Sequence, residues 1–126
     1  MVTGSAPAAG HGHGRAVRRG QVWMTDFGVP IGSQPGYQRP TVIVSNDRLN
    51  QSAWNTVLVA PVTSNLRHAG ASGNVRLPDD LLPKPSVVLV AQVTAVDRRQ
   101  LIEHLADLPV VERYAIDEGL RLILDL

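Results

Sequence analysis

The sequence predicts a small, mainly β domain, a half-open barrel with one helix laid against it at the C-terminus. Three observations lead to this fold class. Short runs of β-branched and aliphatic residues recur along most of the 126-residue chain, separated by proline and glycine. Near the C-terminus the apolar residues change to helical spacing. Hydrophobic residues make up 44% of the chain, which is enough to fill one core, so we expect one folded domain.

The two ends of the chain differ in composition. Residues 1–17 are rich in Gly, Ala, Ser and His and predict a disordered tail, so we place the folded domain at 18–126. The alternating Gly and His at 10–14 predict no metal site, because two histidines on a flexible segment are a poor ligand set. The longest apolar run, 87–91, is too short to span a membrane. We therefore expect a cytoplasmic protein without membrane association.

The first two predicted strands flank a loop. Gln21–Asp26 has the pattern of a strand, with alternate side chains on opposite faces. Residues 40–45 are β-branched and nearly all apolar, as in a strand buried on both faces. Between them, 28–36 contains three glycines and two prolines, which predicts a long exposed loop. Cap-forming residues at 45–47 predict a short helical turn after the second strand.

Three further strands are predicted in the middle of the chain. Thr56–Thr63 is another buried strand, in which Pro61 indicates an edge or a bulge. A polar loop, 64–74, precedes a short strand at 75–77. Residues 86–96 are predicted to form the longest strand.

The C-terminal part is predicted to be largely helical. Residues 97–101 fit one capped turn, 102–105 fit a strand or a helix, and 109–124 fit a helix capped by Asp107. The side chains expected to face the sheet from this helix are Ile116, Leu120 and Ile123. Gly119 is expected to mark close packing of the helix against a strand.

Charge is distributed unevenly along the chain. Eight basic and four acidic residues precede Asp97, whereas four basic and seven acidic residues follow from Asp97 onward. Eleven of the cations are arginine, whose forked guanidinium suits phosphate contacts. We therefore expect an anionic partner to bind the first part of the chain. Cysteine is absent from the sequence, which excludes disulfides and thiolate catalysis.

Five short motifs follow one another from residue 18 onward. They are Arg19-Gly20-Gln21-Val22-Trp23, Gln38-Arg39-Pro40 before Val42-Ile43-Val44-Ser45-Asn46-Asp47, Val59-Ala60-Pro61-Val62-Thr63-Ser64, Lys84-Pro85-Ser86-Val87-Val88, and Gln92-Val93-Thr94-Ala95-Val96-Asp97. In this order they resemble the MazF/PemK/Kid family of toxin endoribonucleases. The resemblance implies an SH3-like half-open barrel of the PemK/CcdB type and a homodimer. It also implies a nuclease that cuts single-stranded RNA at short sequences without a metal or cofactor, and a MazE-like antitoxin whose acidic tail covers the RNA-binding face.

The same resemblance implies that Arg39 and Thr63 form the catalytic pair. RNA can be cut by attack of its own 2′-hydroxyl on the adjacent phosphorus. This reaction requires a cation beside the crowded, negatively charged phosphate and help with proton transfer. Arg39 would primarily supply the charge, with protonation of the leaving oxygen as a second role, and Thr63 would orient the 2′-hydroxyl or hold a phosphate oxygen. Because arginine keeps its proton at neutral pH, the general base stays open. His68, in the polar loop after Thr63, is an alternative acid or base.

Several other side chains are candidates for contacts with RNA. Gln92 occupies a position where the resemblance implies such a role, and Tyr37 could stack on a base. Many relatives carry an acidic residue at the position of Gln34, and relatives often carry arginine at Thr94. The missing arginine predicts a shallower salt dependence or a different base preference. The predicted RNA-binding set is Gln34, Tyr37, Ser64, Ser86 and Gln92.

Two other functions remain open from the sequence. One is a protein-binding toxin of the same fold, such as a CcdB-type gyrase poison, and the other is an inactive SH3-like interaction module. Such gyrase poisons act through a C-terminal Trp-Gly-Ile segment, whereas this chain ends in Ile123-Leu124-Asp125-Leu126, which weighs against the first. Trp23 and Trp54 are expected in the core or in a dimer interface.

Overall fold

The computed structural model describes residues 16–28 and 38–126, so expectations about 1–15 and 29–37 lie outside the described residues. In the described part, seven antiparallel strands form one sheet. The strands are β1 Gln21–Asp26, β2 Gln38–Ile43, β3 Thr56–Thr63, β4 Val75–Arg76, β5 Val87–Val88, β6 Thr94–Asp97 and β7 Leu101–Asp107. The helices are α1 Asp47–Asn50 and α2 Val110–Leu124, and 3₁₀ turns occupy Leu66–Gly70, Val90–Gln92 and Arg98–Gln100.

Strand β3 is the centre of the sheet. The strand order is β4-β5-β3-β2-β1-β7, and β6 also pairs with β3. One side of β3 is paired with β2, while the other side pairs first with β6 and then with β5. The sheet curves without closing, and the predicted mainly β fold with a C-terminal helix is confirmed.

Each face of the sheet carries a buried apolar core. On one face, which we call the helix face, Val22, Val42 and Val62 pack with Ile116 of α2. On the opposite face, which we call the Trp23 face, a second core forms around that tryptophan; its other members include Ile43, Val57, Val59 and Leu101. Successive residues of a strand point to opposite faces, so β1 to β3 need apolar side chains in both directions.

Most of the local predictions are confirmed. The bounds of β1 and β3 are those expected. The Asn46 side chain caps α1 by accepting a hydrogen bond from the Leu49 amide (2.9 Å), and Asp97 and Gln100 form a reciprocal capping box around the last 3₁₀ turn. Residues 102–105, which fitted either structure, belong to β7 and pair with β1.

The prediction of one long strand at 86–96 is wrong. The segment is divided into β5, a 3₁₀ turn and β6. The break lies beside Pro61 of β3, whose missing N–H interrupts the ladder. There the Leu89 amide donates to the Pro61 carbonyl (2.8 Å), and the Val90 amide donates to the Asn74 side chain (3.1 Å). The edge expected at Pro61 is wrong, because β3 is central, and the irregularity lies instead in the strand paired with it.

The start of α2 also differs from the prediction. The residue at its N-cap is Pro109, and Asp107 instead pairs with His104, with Oδ1 2.8 Å from Nε2. Gly119 does mark close packing, but against the backbone of Gly73 in the loop before β4 and not against a strand.

The packed part of the chain begins before Arg18. Val17, which the sequence analysis assigned to the tail, is only 2% exposed and lies in the core of the Trp23 face. Within the described residues, no helix is long and apolar enough to cross a membrane.

Candidate active site

The β2–β3 register indicates how the two predicted catalytic residues lie relative to each other. In the β2–β3 ladder Thr41 pairs with Pro61, and Ile43 pairs with Val59. Continuing this register by two residues places Arg39 opposite Thr63. Residues opposite one another share a face, which here is the Trp23 face because Ile43 and Val59 lie there. Adjacent strands are about 4.8 Å apart, so both side chains can reach one phosphate group.

A pair of buried threonine hydroxyls lies beside Arg39. Thr25 is the partner of Arg39 in the β1–β2 ladder, and its Oγ1 lies 2.8 Å from that of Thr41. Both hydroxyls are also within 3.3 Å of the Trp23 carbonyl oxygen. The two threonines have no exposed surface, so this network forms a fixed polar floor next to the arginine. No local sequence signal predicts this pair, because threonine is common in strands and only the register brings the two hydroxyls together.

The hydroxyl of Thr63 is held at the end of its strand. The side chain is half-buried, and its Oγ1 accepts a hydrogen bond from the Asn65 amide at 3.1 Å. A hydroxyl that accepts one hydrogen bond can still donate its own proton. The arrangement leaves Thr63 able to donate to an oxygen atom placed above the Trp23 face.

Two turns border this end of the sheet and are joined by Asn74. Its Oδ1 accepts from the Val90 amide, and its Nδ2 donates to the His68 carbonyl at 3.0 Å. Gln92 is the last residue of the turn that begins at Val90, whereas the sequence predicted it within a long strand. Its side chain is exposed. His68 is also exposed, in the turn that follows Thr63. Asn74 thus fixes the position of the Gln92 turn relative to the His68 loop, a role that sequence reasoning did not identify.

The remaining predicted residues are placed differently. Ser64 is exposed next to Thr63, but Ser86 is buried and donates its hydroxyl to the Lys84 carbonyl at 2.7 Å. Gln34 and Tyr37 lie outside the described residues. Trp23 is buried as expected, and Trp54 is 68% exposed and so is not a core residue.

Three charged residues at 97–99 hold the far end of β3 in place. Hydrogen bonds from the Arg99 side chain and backbone lower the pKa of the Asp97 carboxyl. Arg98 donates to the Asn50 and Trp54 carbonyls, and burial lowers the pKa of its guanidinium. These contacts lie at the opposite end of β3 from Thr63. Among the residues described, no group of three or more His, Cys, Asp or Glu side chains could hold a metal ion.

Comparisons with known proteins agree with this fold. A family model described as PemK-like, MazF-like toxin of type II toxin-antitoxin system matches residues 18–124. Endoribonuclease MazF6 of Mycobacterium tuberculosis is 36% identical over 112 residues, covering 87% of this chain and 98% of that protein. Endoribonuclease MazF of Staphylococcus epidermidis is 33% identical and covers 87% and 92%.

Solved structures show the same architecture. A MazE-MazF structure from Deinococcus radiodurans has a TM-score of 0.75 at 25% identity, covering 89% of this chain and 98% of that one. An endoribonuclease in complex with its cognate antitoxin, from a mycobacterial species, has a TM-score of 0.73 at 24% identity, with 88% and 97% covered. Since the family model spans nearly all of the described residues, the chain belongs to the PemK-like, MazF-like toxin family of type II toxin–antitoxin systems.

Proposed function

We propose that this toxin is an endoribonuclease that cuts single-stranded RNA at short sequences, with Arg39 and Thr63 at its active centre. The relatives reported above are named endoribonucleases, and the chain covers nearly their full length. The observation that supports the assignment of the site is the β2–β3 register at Thr41–Pro61, because the same register continued by two residues would set Arg39 opposite Thr63.

The proposed reaction is transesterification within the RNA. The 2′-hydroxyl oxygen loses its proton and attacks the adjacent phosphorus, and the bond from phosphorus to the 5′-oxygen breaks. The leaving 5′-oxygen takes up a proton, for which the Arg39 guanidinium or water is the donor, so that a 2′,3′-cyclic phosphate and a free 5′-hydroxyl result. Arg39 stabilises the negative charge on the phosphate oxygens in the transition state. Thr63 donates to a phosphate oxygen or orients the 2′-hydroxyl. None of these steps requires a metal ion or a cofactor.

The proton of the 2′-hydroxyl needs a separate acceptor, because a guanidinium is already protonated at neutral pH. His68 is the alternative acid or base, since it lies in the exposed turn that follows Thr63. If His68 accepts the proton, His68→Ala lowers the rate by 10²-fold or more. We expect little change, because nothing in the described structure orients this exposed ring toward Thr63.

The RNA is proposed to lie over the end of the Trp23 face that carries Arg39 and Thr63, beyond the buried core around Trp23. Ser64, next to Thr63, and Gln92, at the end of the neighbouring turn, are exposed and support this placement. Gln34 and Tyr37 lie outside the described residues and remain in the set from the sequence alone. Ser86 has the least support in the set, because its side chain is buried. The antitoxin is proposed to be MazE-like and to cover the same face with an acidic segment, and the toxin is proposed to act as a cytoplasmic homodimer.

The test is cleavage of a mixed-sequence RNA in EDTA, followed by mapping of the ends. We expect cuts at one short motif, with cyclic phosphate at the new 3′ ends. A gyrase-type poison or an inactive module would leave the RNA intact, so a lack of cuts at any excess of enzyme would overturn the proposal.

Matched variants test the two catalytic residues. Arg39→Ala and Thr63→Val should each lower the rate by about 10²–10³-fold. Arg48→Ala, an exposed arginine in α1, and Thr56→Val, at the other end of β3, are the controls and should leave the rate within about twofold. Equal losses in variants and controls would show that the wrong pair was chosen.

A further inference from the structure

A second arginine lies in the same row of the sheet as the proposed catalytic pair. Thr63 pairs with Val87 in the β3–β5 ladder, and Val87 pairs with Arg76 in the β5–β4 ladder. The row across the sheet therefore runs from Thr63 through Val87 to Arg76.

The direction of the Arg76 side chain follows from its neighbours. Val75 and Val88, one step along the same ladder, belong to the core of the helix face. Because alternate residues of a strand point to opposite faces, Arg76 points to the Trp23 face, as Thr63 does. Two strand spacings, about 10 Å, separate the backbones of Arg76 and Thr63.

The guanidinium of Arg76 can be reached by a ligand. Its Nη2 lies 2.9 Å from Oδ1 of Asp79, and the two side chains are 45% and 71% exposed. An exposed ion pair of this kind contributes little free energy, so a phosphate group can replace the carboxylate. Arginine binds phosphate through two parallel N–H donors, which favours this exchange.

We propose that Arg76 binds a backbone phosphate of the RNA, at least one nucleotide away from the scissile linkage, and that Asp79 competes with the RNA for it. This inference rests on the proposed function, because it takes RNA as the ligand of the Trp23 face. Arg76 does not touch the reacting atoms in this arrangement. It is a positioning residue that holds the strand in register with Arg39 and Thr63.

A second arginine pair offers a matched control. Arg121 and Glu118 form another i,i+3 ion pair, 3.7 Å apart, with side chains 66% and 75% exposed. That pair is on α2, which covers the helix face, away from the proposed RNA path. Substitutions in the two pairs change the net charge of the protein equally, so a difference between them reports position and not overall charge.

The experiment measures binding of an RNA oligonucleotide that carries the mapped cleavage motif, with a 2′-O-methyl group at the scissile nucleotide to prevent cleavage. At about 0.1 M salt, Arg76→Gln should weaken binding by about 5- to 10-fold and reduce the slope of log K against log salt by about 0.7. Asp79→Asn should strengthen binding by about 2- to 5-fold. Arg121→Gln and Glu118→Gln should each change binding by less than about twofold. With cleavable RNA, Arg76→Gln should raise KM and leave kcat unchanged.

The outcomes separate the two proposals. If the wild-type protein cuts no RNA, the proposed function fails. If the wild-type protein cuts RNA but Arg76→Gln binds it as Arg121→Gln does, with an unchanged salt slope, only the inference about Arg76 is overturned. Weaker binding of an antitoxin together with unchanged RNA binding would assign Arg76 to the protein partner, and would overturn the inference as well.

Discussion

Replacing Gly119 with alanine tests how closely helix α2 packs on the rest of the domain. A Cβ atom at this position would lie far inside van der Waals contact with the Gly73 carbonyl oxygen, and 3.2 and 3.3 Å from its carbonyl carbon and Cα. These are backbone atoms, so the loop or the helix must move. Such overpacking costs about 3 kcal/mol, whereas the higher helix propensity of alanine returns about 1 kcal/mol. We expect the free energy of unfolding to fall by about 2 kcal/mol.

The assay is urea unfolding at one fixed protein concentration, because dimer formation would make the apparent stability depend on concentration. Gly70→Ala is the matched control. No atom lies within 4 Å of a Cβ at that position, so its stability should stay within about 0.5 kcal/mol of the wild type. If Gly119→Ala is as stable as Gly70→Ala, the close approach of α2 to Gly73 is wrong.

Three further substitutions test other contacts. Val17→Ala should cost about 1–2 kcal/mol in the same urea assay, and a loss below about 0.3 kcal/mol would return this residue to the tail. Asn50→Leu should lower the free energy of unfolding by about 3 kcal/mol. The buried Asn50 side chain accepts a hydrogen bond from the Ser45 hydroxyl and donates one to the Ser45 carbonyl, and the substitution removes both. A loss under about 1 kcal/mol would contradict that network. Arg99 lowers the pKa of Asp97 in the folded state, so the charged carboxylate stabilises the fold. This contribution to the free energy of unfolding is complete above about pH 4 and is lost as the pH falls through the lowered pKa. Asp97→Asn should remove that part of the acid dependence, and an unchanged acid unfolding profile would refute it.

Local sequence signals were sufficient where an element depends on its own residues. Alternation predicted β1 and a β-branched run predicted β3, each with the observed bounds. Another β-branched run predicted β2 at 40–45, two residues later than the observed Gln38–Ile43. Capping residues such as Asn46 and Asp97 predicted short turns, since a side chain that bonds the next amides needs no distant partner. The segment 86–96 was mispredicted because its composition favours a strand throughout, whereas the break originates in Pro61 on the neighbouring strand.

The candidate site shows the same division. Arg39 and Thr63 were proposed from motif order, but their separation along the chain does not indicate whether they are neighbours, whereas the β2–β3 register, continued from Thr41 and Pro61, does. The Thr25–Thr41 hydroxyl pair and the row that reaches Arg76 also depend on pairing between distant strands. No local pattern distinguishes such residues from ordinary strand threonines or a surface arginine.

The 3₁₀ turn Val90–Gln92 shifts the pairing along β3 and so determines which side chains of β4 face the proposed RNA path. In the β3–β6 ladder Val59 pairs with Thr94, and if that register continued, Thr63 would lie opposite residue 90. It pairs with Val87 instead, and the offset of three residues equals the length of the turn. An offset of odd length changes the face on which β5 and β4 present their side chains, because the period of a strand is two. The turn therefore sets which residues of β4 share a face with Thr63: Arg76 lies on the Trp23 face and Val75 lies in the core, whereas an uninterrupted strand would reverse the two.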